Sequence, residues 1–138
     1  MIKESREKNR LLIADDSKMN RKILKEILGD EYIVTEAKDG TEAIELLKKE
    51  EDSFSALLLD LNMPETNGYQ VLEWMNEEYV IERIPVIVIL AEDNHESIEK
   101  AYELGAMDYF THPFDMFEIQ KRVAGTLNLY KKYENLIM

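Results

Sequence analysis

Five short apolar runs punctuate the chain: Leu11 to Ala14, Tyr32 to Val34, Ala56 to Leu61, Pro85 to Leu90 and Ala106 to Phe110. Their length and aliphatic character predict strands. The third and fourth, ALLLDL and PVIVIL, are almost continuously hydrophobic, as expected of central parallel strands covered on both faces. Between the runs the apolar period changes. Met19, Ile23, Leu24, Ile27 and Leu28 fall at spacings of 4, 1, 3 and 1, one face of a helix, and the stripe stops at Gly29, a candidate C-cap. The same period places helices over Gly40 to Lys49, Gly68 to Met75 and Ser97 to Leu104.

Strand and helix thus alternate five times, which predicts a doubly wound α/β fold: a five-stranded parallel sheet with right-handed crossovers and helices on both faces. Residues 1–9 form an N-terminal lead and residues 10–138 a single domain. From Asp115 onward there is no Pro and one Gly, and Met116, Ile119, Val123, Leu127, Tyr130 and Ile137 recur along one long last helix, about 115–138, that outruns the core. Met116, Val123, Tyr130 and Ile137 are seven apart, a spacing that also suits pairing between two copies. A chain closing on Asn135, Leu136, Ile137 and Met138 reads as though this helix led to an output domain.

Composition narrows the functional classes. With no cysteine in 138 residues, a disulfide framework, a thiolate metal site and a cysteine nucleophile are excluded, in keeping with a cytoplasmic setting. No run approaches a membrane span or a signal sequence. The formal charge of −12 would repel a phosphate backbone and argues against direct nucleic-acid binding.

Ligands of such folds bind beyond the carboxyl ends of the strands. Strand one ends in Asp15 and Asp16 and strand three in Asp60, so the fold gathers three carboxylates at one edge. Two carboxylates about 4 Å apart repel by roughly 4 kcal/mol at an effective dielectric near 20, so the trio calls for a cation or a raised pKa. An open, all-oxygen site suits Mg²⁺, with Mn²⁺ as the natural substitute. The bland alternative is that Asp15, Asp16 and Ser17 merely cap the first helix. Asp60 weighs against it, because a charge directly after Leu57, Leu58 and Leu59 has no structural role that Asn could not fill.

Asp15 and Asp16 after an apolar strand, Asp60 in the sequence DLNMP, and then Gly68 together resemble the CheY-like receiver domain of bacterial two-component response regulators, over about Arg10 to Leu129. The resemblance implies a flavodoxin-like strand order 2-1-3-4-5. It also implies that Asp60 accepts a phosphoryl group from a sensor histidine kinase or phosphotransfer protein. Asp16, Asp60 and the Asn62 carbonyl would hold Mg²⁺, with Asp15 acting through water. Asn62 and Glu92 match positions that tune phosphoryl lifetime, and Tyr109 matches an aromatic switch position. The domain would signal through its strand 4, helix 4, strand 5 and helix 5 face. It would be no enzyme beyond assisting its own phosphoryl transfer and hydrolysis. A cis bond before Pro113 is implied as well.

Two positions depart from that pattern. Leu90 stands where receivers place a Thr or Ser hydroxyl, and His112 where they place Lys. Leucine donates no hydrogen bond, and an imidazole with an ordinary pKa near 6.5 is mostly neutral at pH 7. These departures favour a rival reading, a pseudo-receiver that works through protein contacts without phosphate. A haloacid-dehalogenase-type phosphatase ranks lower, since Asn62 occupies the place of its second Asp. A flavin-binding reading fails for want of a Ser/Thr-rich loop after strand one.

Overall fold

The computed structural model describes residues 9–137; residues 1–8, most of the expected lead, lie outside it. Its elements are β1 (Asn9–Ala14), α1 (Lys18–Leu28), β2 (Tyr32–Ala37), α2 (Gly40–Glu50), β3 (Ala56–Asp60), α3 (Gly68–Glu77), β4 (Val86–Leu90), α4 (His95–Glu103), β5 (Asp108–Thr111) and α5 (Met116–Ile137). All neighbouring strands are parallel, in the order β2-β1-β3-β4-β5. The fold is the doubly wound sandwich that the alternating pattern predicts, with the flavodoxin-like strand order that the family resemblance implies.

Because successive strand residues face opposite ways, each central strand feeds two cores. Leu12, Leu57, Leu59, Val86 and Val88 pack with Ala43 and Leu47 of α2, Val71, Leu72 and Met75 of α3, and Ala101 of α4. Leu11, Ile13, Leu58, Ile87 and Ile89 pack on the other side with Leu24, Ile27 and Leu28 of α1 and Ile119 and Val123 of α5. Every residue of β3 and β4 is buried, which is why those runs carry no polar alternation. At the edge, β2 stays half-exposed and continues through Thr35 and Glu36 to Ala37, past the three-residue apolar run.

Other boundaries shift for local reasons. Asn94 caps α4 by accepting from the Ser97 amide, so that helix opens at His95 instead of Ser97. Short 3-10 turns at Glu51–Ser53 and Val80–Glu82 carry no periodic signal. Gly29 does end α1, but with φ −68 rather than in the left-handed conformation; a Cβ there would stand 2.6 Å from the Lys25 carbonyl oxygen. Two positions of the seven-residue repeat of α5 are engaged by its own domain, with Val123 fully buried and the Tyr130 hydroxyl donating to the Glu82 carbonyl at 2.6 Å, while Met116 is exposed. Among the described residues no helix is long and apolar enough to cross a membrane.

Candidate functional site

The carboxyl ends of β1 and β3 lie side by side, with Ala14 paired to Leu59, so the residues that follow each strand emerge together. Asp60 is the last residue of β3 and only 8% exposed; Asp15 is fully buried and Asp16 exposed. One carboxylate oxygen from each lies within 4.8 Å of the others. Capping of α1 falls to Ser17, whose side chain accepts from the Asn20 amide. Asp15 is thereby left to the site. Its Oδ1 accepts from the Ser17 amide at 2.9 Å and its Oδ2 from the Asn20 side chain at 3.4 Å.

Burial dominates the electrostatics. It pushes the Asp60 carboxyl up to about 7, helped by the charges of Asp15 and Asp16 and opposed by the Asn62 amide, which donates to Asp60 Oδ1 at 3.0 Å. Asp15 is raised too, first by burial, against the lowering bond from Ser17. No basic side chain forms an ion pair with this trio among the described residues. Three oxygen donors, one of them open to solvent, fit a hard divalent cation such as Mg²⁺ that keeps several waters.

Beyond Asp60 the chain turns sharply. Gly68 opens α3 directly against this turn: its amide donates to the Leu61 carbonyl at 3.2 Å, and a Cβ would stand 2.6 Å from both the Asp60 carbonyl oxygen and Leu61 Cα. Close approach of the backbone is what calls for glycine at Gly68. Asn67 and Gln70 form a reciprocal capping box there.

The remaining candidates divide into two groups. Asn62, Leu90 and Glu92 line one cleft of about 330 Å³ beside the end of β3, together with Leu61, Tyr69 and Ser97 among others. Leu90 is buried at the end of β4, and Glu92 is exposed. His112 and Tyr109 do not line that cleft. The His112 ring stacks on Phe114 at 4.4 Å between centroids, and its amide donates to the Leu90 carbonyl. Its bond to Pro113 is cis. Tyr109 meets Tyr102 edge-on at 6.3 Å and lies under the Arg122 guanidinium at 5.5 Å.

A profile built for the response regulator receiver domain matches residues 11–124. The chain belongs to the response regulator receiver family. It is 33% identical over 127 residues to Response regulator RR06 of Streptococcus pneumoniae, covering 91% of this chain and 56% of that one. It is 35% identical over 120 residues to the transcriptional regulatory protein SrrA of Staphylococcus aureus, covering 86% and 48%. The chain thus spans about half the length of the curated relatives it matches. Among solved structures, the Vibrio cholerae chemotaxis protein CheY4 superposes with a TM-score of 0.80 at 24% identity, covering 87% of this chain and 99% of that one, a likeness of fold.

Within this receiver domain, sequence reading named the carboxylates but missed what holds them. Asn20 bonds Asp15 from the first turn of α1, and Arg21, the next residue, reaches the Asp15 carbonyl at 2.7 Å. The available signal was positional, since polar residues in the first turn of a helix that follows an acidic loop can bond back to it.

Proposed function

We propose that this receiver domain accepts a phosphoryl group on Asp60 from a sensor histidine kinase or phosphotransfer protein and relays that state to an output domain or partner. The observation that carries the reading is the convergence of Asp15, Asp16 and Asp60 oxygens within 4.8 Å at the end of the β1–β3 pair. An Asp60 carboxylate oxygen attacks phosphorus, and the donor's phosphorus–nitrogen bond breaks as the new phosphorus–oxygen bond forms. Asp16, Asp60 and the Asn62 carbonyl would hold Mg²⁺, or Mn²⁺ in its place, with Asp15 acting through water. The ion supplies neutralisation of charge on the transferring group. Asp15 and Asp16 would help hold that ion beside Asp60, and the Asn62 amide orients the Asp60 carboxylate. Exposed Met19 and Ile23 on α1 and Met116 and Phe117 at the start of α5 offer the donor protein apolar contact near the same edge.

Leu90 and the Phe114-stacked His112 favour the second reading, a pseudo-receiver that acts by contact alone. Incubation with Mg²⁺ and acetyl phosphate, followed by intact-mass analysis, separates the two. The expected outcome is one phosphoryl addition to the wild type and none to Asp60→Ala. Addition that persists in Asp60→Ala refutes Asp60 as acceptor, and no addition to the wild type leaves the pseudo-receiver.

A further inference from the structure

Behind the carboxylates sits a cation that the transfer chemistry does not itself require. Arg21 of α1 has a side chain only 14% exposed. Its Nη1 donates to the main-chain carbonyl of Asp15 at 2.7 Å, and its Nε pairs with Glu36 of β2 at 2.9 Å. Glu36 also lies 3.9 Å from Lys25 Nζ. The guanidinium charge is therefore matched by Glu36, and Nη1 donates to a backbone oxygen instead of to a carboxylate of the acidic trio.

The Asp15 carbonyl and the Asp16 amide belong to one planar peptide unit. A charge-assisted bond to that oxygen fixes the plane from which Asp16 departs. Asp16 is exposed, so its carboxylate takes its position from the backbone. On the other side of the same residue, the Asp15 amide donates to the Ala37 carbonyl at 3.1 Å, next to Glu36. Both ends of the Asp15 main chain are thereby tied to the end of β2, one directly and one through Arg21.

We propose that Arg21 is a positioning residue: through the Asp15 carbonyl and Glu36 it holds the Asp15–Asp16 peptide so that both carboxylates converge with Asp60 on a divalent cation. This rests on the metal-assisted reading given above. The planar fork of arginine meets two acceptors at a fixed angle, which the point charge of lysine does not reproduce.

The test titrates Mg²⁺ against the full chain as wild type, R21Q, R21K and E36Q, reading the thermal unfolding midpoint and, in parallel, the acetyl phosphate labelling rate. Residues that support metal ligands from behind typically cost tenfold or more in affinity when removed, so half-saturating Mg²⁺ should rise roughly tenfold in R21Q and by a smaller factor in R21K and E36Q. The labelling rate at saturating Mg²⁺ should stay within about twofold of wild type, the signature of lost cation binding and not of lost chemistry. The cation-free midpoint reports any purely structural loss separately. Should R21Q fail to fold, R21K, which keeps the charge and loses the fork, carries the same comparison. Half-saturating Mg²⁺ that is unchanged in the folded variants overturns the inference while leaving the Asp60 site intact. A wild type with no Mg²⁺ response overturns the site and this inference together.

Discussion

Asp60, 8% exposed and beside two other carboxylates, ionises at a cost to the folded domain. The raised Asp60 carboxyl, at about 7, means that the folded chain holds a proton more tightly than the unfolded one between about pH 4 and 7. Stability therefore falls as pH rises through that window and the penalty is complete above it. By the linkage relation a shift of this size corresponds to at most about 4 kcal/mol. Asp60→Asn should accordingly be more stable than wild type at pH 8 without divalent cations, with the gain shrinking to nothing near pH 4. Urea denaturation across that range checks it, and a gain that is flat with pH would assign the effect to packing instead. Asp60 was legible in the sequence because a charge that ends a triple-leucine strand must be desolvated to sit there, a penalty that packing alone never calls for. Arg21 was not, because its partner Glu36 is 15 residues away and belongs to a strand whose polar half hides its full length.

At the scale of elements, legibility followed burial. The runs of β3 and β4 were readable since both faces are covered, whereas β2, an edge strand, revealed only its first half. The 3-10 turns have no period to detect, yet Glu82 in one of them anchors α5 through Tyr130. That bond ties the overhanging part of α5 to the domain and engages one position, Tyr130, of the seven-residue repeat. Tyr130→Phe should cost about 0.5–1.5 kcal/mol, measured by equilibrium denaturation, and should increase amide exchange in the last turns of α5 before any other element. The junction of β3 with α3 is less forgiving. Gly68→Ala would drive a Cβ into the Asp60 carbonyl and the Leu61 backbone, neither of which is a flexible side-chain end. A loss of about 1–3 kcal/mol is expected, with a fall in Asp60 labelling that exceeds what the unfolded fraction explains. Gly125→Ala, inside α5 where nothing lies within 4 Å of the added Cβ, serves as the clash-free comparison and should gain roughly 0.5–1 kcal/mol of helix stability.

For the molecule as a whole, the question is how far a phosphoryl group at Asp60 could be felt at the α4–β5–α5 face. An equilibrium moves only by the difference in a ligand's interactions with the two states. On this chain the β4 end presents Leu90, which offers no donor, and the β5 end presents an imidazole stacked on Phe114. Tyr109, earlier in β5, lies under the Arg122 guanidinium, and Arg122 is fixed in turn by Asp108 at 2.8 Å and Glu118 at 3.1 Å. A phosphoryl group on Asp60 would thus find no side-chain donor at Leu90, while Tyr109 on the α4–β5–α5 face is braced. A missing charge-assisted hydrogen bond is worth roughly 1.5–3 kcal/mol, enough to remove most of a two-state bias. Amide NMR with and without beryllofluoride, a phosphoryl mimic for Asp60, should therefore show wild-type shifts confined to the loops after β1 and β3. Little change is expected at Leu90, Tyr109 and α4. The double substitution Leu90→Thr with His112→Lys restores a hydroxyl and a permanent cation, and should extend the shifts across β4, α4 and β5. A wild type that already rearranges throughout that face, with no enlargement in the double variant, would mean that a different residue reads the phosphoryl group.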